Sequence, residues 1–213
     1  MAKDDSRRPL ASRDSGWARV IARRLSEAAI TPNQISLASM VMAAAAGGSF
    51  WLAGSAQPGW RAALLLAAAV FCQLRLLCNL FDGMVAIEGG KQAPDGPFWN
   101  EFPDRVADIL ILIGIGYGVA MPALGWSAAG MAVLTAYTRE LGRTCTQVVD
   151  YAGPMAKQHR MAVVTAAALL SLLEPLWLGA GEILTAALWL VAVGAAGTSL
   201  RRGVNIVRRM RAG

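Results

Sequence analysis

Asn79-Leu-Phe-Asp82-Gly83-Met-Val-Ala86, followed across residues 87–95 by Gly96-Pro-Phe-Trp-Asn100-Glu-Phe-Pro-Asp104, is the stretch on which the reading of this chain turns. It grows out of an apolar run, Ala62 to Leu74, that becomes polar at Arg75, Asn79 and Asp82. Polar residues within a candidate membrane span are costly and therefore functional suspects. On a 3.6-residue helix, positions 75, 79, 82, 83 and 86 share one face, so Arg75, Asn79 and Asp82 converge while Gly83 and Ala86 leave a bare strip beside them. Asn100, Asp104 and Asp108 repeat every four residues and stack on one face of any helix that runs through them. Pro103 suits a first turn, which predicts a helix beginning near residue 102 or 103 with Asn100 in the preceding loop. Two helix ends presenting oxygen ligands at one membrane face suit a hard divalent cation, and such a cation suits a diphosphate. The same residues would also serve as helix caps and as ion-pair partners of Arg75 and Arg105, and spacing leaves both readings open.

Outward from this segment the chain is too apolar for an ordinary soluble domain. Its 213 residues are 55% hydrophobic and 16% charged, with a mean hydropathy of +0.44. Runs near the ~20 apolar residues that cross ~30 Å of hydrocarbon predict spans at 33–54, 62–87, 104–121, 126–148, 161–178 and 182–200. The expected fold is all-α and polytopic: six transmembrane helices in residues 31–213, after a cytoplasmic N-terminal segment, 1–30. In that segment Trp17, Ile21, Leu25 and Ala28 recur at helical spacing, as in an amphipathic helix lying at the membrane interface; a solvated helix packed on the domain fits the same pattern. Thr31 is a candidate cap and Pro32 a first helical residue. The polar opening residues do not read as a removable signal peptide.

The net charge of +6 sits between apolar runs rather than on one water-facing surface, which argues for membrane orientation and against nucleic acid. With the N-terminus inside, the cytoplasmic side collects nearly every Lys and Arg and the opposite side only Arg61. Trp51, Trp60, Trp126 and Trp177 fall at the predicted outer ends, as an aromatic belt or as core residues. Gly47, Gly48 and alanine runs at 43–46, 67–69 and 166–168 suit close helix approach. Cys72, Cys78 and Cys145 have no paired spacing, so neither disulfides nor a zinc site is expected.

At residues 79–104 the sequence resembles the CDP-alcohol phosphatidyltransferase family. The spacing reproduces its signature, D-x2-D-G-x2-A-R, eight residues, G-x3-D-x3-D, throughout, and Thr31-Pro32-Asn33 resembles the motif that opens the family's first helix. The resemblance implies that Asn79, Asp82, Asn100 and Asp104 hold Mg²⁺ or Mn²⁺ against the diphosphate of a CDP-linked lipid. It implies too that Asp104 is the general base, that Gly83 and Ala86 make room for cytidine, and that Asn33 belongs with the substrate-binding residues. On a second alignment, with a four-residue insertion, Asp104 is a metal ligand and Asp108 the base. Asn79 and Asn100 stand where the signature has Asp, removing two negative charges. Ile87 stands where it has Arg, leaving Arg75 and Lys91 as candidate replacements.

By the same resemblance Arg139, Lys157 and Arg160 are candidates for an anion pocket that meets a phosphate on the acceptor, although orientation alone explains them equally; His159 reads as a solvated loop residue. The implied activity is transfer of a phosphatidyl group from a CDP-linked lipid to an acceptor alcohol with release of CMP, by a homodimer in a bacterial-type inner membrane with its site facing the cytoplasm. The competing expectation is a non-catalytic membrane scaffold of the same fold. Charges gathered at one face disfavour a midplane transport site.

Overall fold

The computed structural model describes residues 15–88, 94–177 and 179–212. Lys91 and the basic residues of positions 1–14 lie outside the described residues. Among the described residues seven α-helices follow one another: α1 (Gly16–Glu27), α2 (Pro32–Ala53), α3 (Pro58–Glu88), α4 (Gly96–Gly118), α5 (Pro122–Thr146), α6 (Lys157–Leu170), continued by a 3₁₀ segment Ser171–Trp177, and α7 (Glu182–Ala212). α2, α3, α6 with its 3₁₀ extension, and α7 are long and apolar enough to cross a membrane. α4 carries Glu101, Asp104, Arg105 and Asp108 in its first half, and α5 is diluted by Gly, Ser and Thr, so neither reaches that composition.

α2 opens on a reciprocal cap: Thr31 Oγ1 accepts from Gln34 N at 3.3 Å, and Thr31 N donates to Gln34 Oε1 at 2.9 Å. α4 begins six or seven residues before the start predicted from Pro103. Pro97 already supplies the first-turn proline, and the Asp95 carbonyl accepts from Phe98 N and Trp99 N. Pro103 is buried inside the helix, where the carbonyl four residues earlier simply lacks its N–H partner. Asn100 is therefore helical, on the same turn-by-turn stack as Asp104 and Asp108.

The core is Ala, Leu, Ile and Val from α2 to α7. α2 and α4 run parallel and nearly touch: a Cβ at Gly114 would lie 2.2 Å from Gly47 O, and one at Gly54 2.0 Å from Gly118 O. Gly48, also expected at a helix contact, meets open space instead. α1 packs on α3 through Ala18 and Ala22 with Leu80, Met84 and Val85. Trp17, Val20 and Ile21 remain exposed, so the buried stripe is offset by one residue from the one read in the sequence. Trp51, Trp60, Trp126 and Trp177 are all more than half exposed, which removes the core reading for them. At that end Arg61 meets Glu174, a fully buried carboxylate, at 2.6 Å. Glu174 also accepts from Gly181 N and Ile183 N, tying the 3₁₀ segment to α7.

Candidate functional site

The opposite end of the bundle holds the polar residues. Asp104, in the third turn of α4, is reached from two other helices. Its Oδ1 accepts from Asn79 Nδ2 of α3 at 2.8 Å and from Arg75 Nη2 at 3.2 Å, and its Oδ2 accepts from Lys157 Nζ at the start of α6. Asp108, one turn deeper, accepts from Arg160 Nη2 at 2.5 Å and, at 3.5 Å, from Arg75 Nη2. Arg160 is itself fixed by Thr135 Oγ1 and the Met155 carbonyl. Of the two sequence readings, the ion-pair network is the one these contacts display, with Asp104 and Asp108 as its acidic members. Asp82 faces α2 and accepts from Ser36 Oγ at 2.9 Å and from Gly83 N at 2.5 Å.

Around this network lies a cavity of about 440 Å³. Asn79, Gly83, Asn100, Asp104, Arg139, Lys157 and Arg160 are in its wall; Asp82, Ala86, Arg75, Asp108 and Asn33 are not. Asp82 precedes the wall residue Gly83 directly and remains within electrostatic reach of Asp104 and Lys157. Arg75 is wholly buried behind the wall as a bridge between Asp104 and Asp108, which corrects its expected position as a substrate contact. Asn33 donates to Asp95 Oδ2, which also accepts from Trp99 Nε1, so its amide braces the entry to α4. Arg139 is held by Glu101 and Glu140 and lies 5.9 Å from the Tyr151 ring centroid.

No family model matches the chain. The Escherichia coli inner membrane protein YnbA is 28% identical over 153 residues, covering 70% of this chain and 72% of YnbA. A phosphatidylinositol phosphate synthase of Mycobacterium tuberculosis, solved with CDP-DAG bound, superposes with a TM-score of 0.73 at 18% identity over 90% of this chain and 94% of its own. The same synthase in complex with manganese and citrate also gives 0.73, at 18% identity over 89% of this chain and 88% of that one. The chain has the fold of that synthase.

On this fold the donor set can be weighed against a divalent cation. Asn79, Asp82, Asn100 and Asp104 offer only oxygen, the ligand of Mg²⁺ and Mn²⁺. Together they carry two formal negative charges, and Asn79 turns its Nδ2 rather than its oxygen to Asp104. Among the described residues no three His, Cys, Asp or Glu side chains converge as a metal cage: Asp82 turns to Ser36 on α2, and Asp104 and Asp108 are held by Arg75, Lys157 and Arg160. Lys157 rests on Asp104 in this arrangement, and its ammonium supplies one positive charge there.

Sequence reasoning missed Ser36, Glu101, Thr135, Tyr151 and Arg202. Ser36 and Ser39 are hydroxyls one turn apart in an apolar span, a signal that could have marked α2 as facing the polar centre. Arg202 donates to the Thr135 and Ala152 carbonyls, whereas its place in the sequence marks it only as an orienting charge.

Proposed function

We propose that this chain is a CDP-alcohol phosphatidyltransferase of the inner membrane, taking a CDP-linked lipid such as CDP-diacylglycerol and an acceptor alcohol at its cytoplasmic end. In this reading α4 and α5, packed between α2 and α7, complete six spans, and α1 lies at the interface with Val20 and Ile21 toward lipid and Trp17 at the cavity mouth, edge-on to Phe81. One observation carries it: the signature-spaced residues Asn79, Asn100 and Asp104 come from two helices into one cavity, with Lys157 and Arg160 opposite them. The shared fold with a synthase solved with CDP-DAG supports the substrate class.

The acceptor hydroxyl attacks the β-phosphorus of the CDP-lipid. The new O–P bond forms as the bond from that phosphorus to the bridging oxygen breaks, and CMP departs with the bonding pair. Asp104 takes the hydroxyl proton, because it is in the cavity wall, while Asp108 is buried behind it and clamped by Arg160. Lys157 leaves Asp104 as the substrate phosphates arrive and neutralises them, which frees the carboxylate to act. Gly83 keeps the wall open beside Asn79. Mg²⁺ or Mn²⁺ held by Asn79, Asp82, Asn100 and Asp104 would neutralise charge on the diphosphate. The synthase complex with manganese supports this choice of ion.

The test is direct. Purified protein supplied with CDP-diacylglycerol, Mg²⁺ or Mn²⁺ and a panel of alcohols releases CMP, and Asp82→Asn removes that release. Absence of CMP with every acceptor and both ions would leave a non-catalytic scaffold as the reading.

A further inference from the structure

Between α5 and α7, on the face turned away from the cavity, runs a groove of about 650 Å³. Its wall is apolar along Leu134, Ala196, Leu200 and Gly203 and cationic at one end only, at Arg208 and Arg211. Leu134 and Leu200 stand exposed on its rims, and a Cβ built on Gly203 meets nothing within 4 Å. From Ala196 to Arg208 the helix advances roughly 18 Å at 1.5 Å per residue. That is a little more than one leaflet's share of ~30 Å of hydrocarbon, so the arginines lie at headgroup depth when the apolar wall lies among acyl chains.

The two arginines differ from the helix cations that line or back the polar centres. Arg61, Arg75, Arg105, Arg139 and Arg160 each have a carboxylate; neither Arg208 nor Arg211 pairs with one among the described residues. We propose that this groove binds an anionic diacyl phospholipid of the cytoplasmic leaflet, with one acyl chain along the Leu134 and Leu200 wall and the phosphate between Arg208 and Arg211. Arg201 and Arg209 on the same stretch of α7 add to the positive potential that draws an anionic headgroup. A second copy of the chain is the poorer occupant, because a two-fold pairing through this face brings the same arginines of both copies together. The site is separate from the catalytic cavity: Arg202 Nη1 donates to the Thr135 carbonyl at 2.6 Å, and those two residues line the cavity rather than the groove. Lipid binding is read independently of turnover, so this inference and the transferase reading can fail separately.

Native mass spectrometry of the delipidated full chain in detergent, titrated with phosphatidylglycerol or phosphatidylethanolamine, decides it. Phosphatidylglycerol is expected to form a retained one-to-one adduct and to raise the melting temperature, and phosphatidylethanolamine to do neither. Arg208→Gln with Arg211→Gln is expected to weaken the adduct on the order of thirtyfold, the effect of two basic contacts at a membrane surface. Gly203→Leu, which enters open space and fills the groove, is expected to displace the lipid with the arginines intact. Equal binding of both lipids, an undiminished adduct in the double variant, the same thermal shift from inorganic phosphate alone, or a dimer lost in Gly203→Leu with the lipid still bound would each overturn the proposal.

Discussion

Asp104 and Asp108 are one turn apart on the same helix and have opposite environments. Asp104 opens on the cavity, whereas Asp108 is 1% exposed between Arg160 and Arg75. Neutralising them should therefore have separable effects. Asp104→Asn is expected to lower CMP release by about 10²–10⁴-fold with a smaller loss of melting temperature than at Asp108, because Asp108 still faces the buried Arg75 and the cavity lets Lys157 turn to water. Asp108→Asn strips the buried Arg160 of its counter-charge and is expected to cost about 3 kcal/mol of stability, visible as a lower melting temperature in detergent. If both variants lost activity at unchanged stability, Asp108 would belong with the reacting groups. Asn100 gives a second test, since it is exposed in the cavity wall and Asp in its place adds a charge that water can still reach. Asn100→Asp is expected to lower the Mn²⁺ concentration for half-maximal CMP release by about tenfold, because ligand charge sets affinity for hard cations. At this scale spacing brought out Asn79, Asn100 and Asp104, which share one cavity wall, and placed Asp82 with them although it turns to Ser36 on α2. Ser36, 46 residues from Asp82, could not be assigned to it, because a serine in an apolar span looks the same whether it bonds its own helix or a neighbour. Arg75 was named and misplaced, since spacing puts it on the right face without saying how deep the face is buried.

Helices were legible in position and misjudged at their ends, and four of the six expected spans are long and apolar enough to cross a membrane. All six long helices coincide in position with apolar runs, yet α4 starts well before its apolar stretch, because Pro97 and the Asp95 carbonyl begin it in polar sequence. The helix-to-helix contacts follow from small residues, and here sequence could not separate Gly47 from Gly48, which differ by one position and by about 100° around the helix. Their substitution should separate them. Gly114→Ala drives a methyl into the Gly47 carbonyl and is expected to cost about 1–3 kcal/mol, whereas Gly48→Ala, with nothing within 4 Å, is expected to leave the melting temperature unchanged or slightly higher. Thermal unfolding of the two variants side by side measures this. A similar loss from both would mean that α2 and α4 pack less closely than the Gly47 and Gly114 backbones indicate.

Across the whole molecule the two ends are chemically unlike, and this asymmetry makes the topology testable with native residues. One end holds Arg61, Glu174 and four exposed tryptophans; the other holds Arg105, Arg139, Arg143, Lys157, Arg160 and the arginine-rich end of α7. The proposed orientation, with cations retained on the cytoplasmic side during insertion, puts the cavity inside and the short α2–α3 turn outside. Cys145 is an exposed thiol near the end of α5, on the cavity side, while Cys72 is buried in the core. With Cys72 and Cys78 replaced by Ala, a membrane-impermeant maleimide is expected to label Cys145 in inverted inner-membrane vesicles and to leave it unlabelled in intact spheroplasts. Ser55→Cys, added to a chain that also lacks Cys145, should show the reverse pattern. Labelling of both positions from the same side would require an even number of crossings between the α2–α3 turn and the end of α5. One of α3, α4 and α5 would then lie outside the bilayer; were it α4 or α5, Asp104 would be separated by the membrane from Lys157 and the proposed site would be lost, and were it α3, the cavity residues would share a side but face outward.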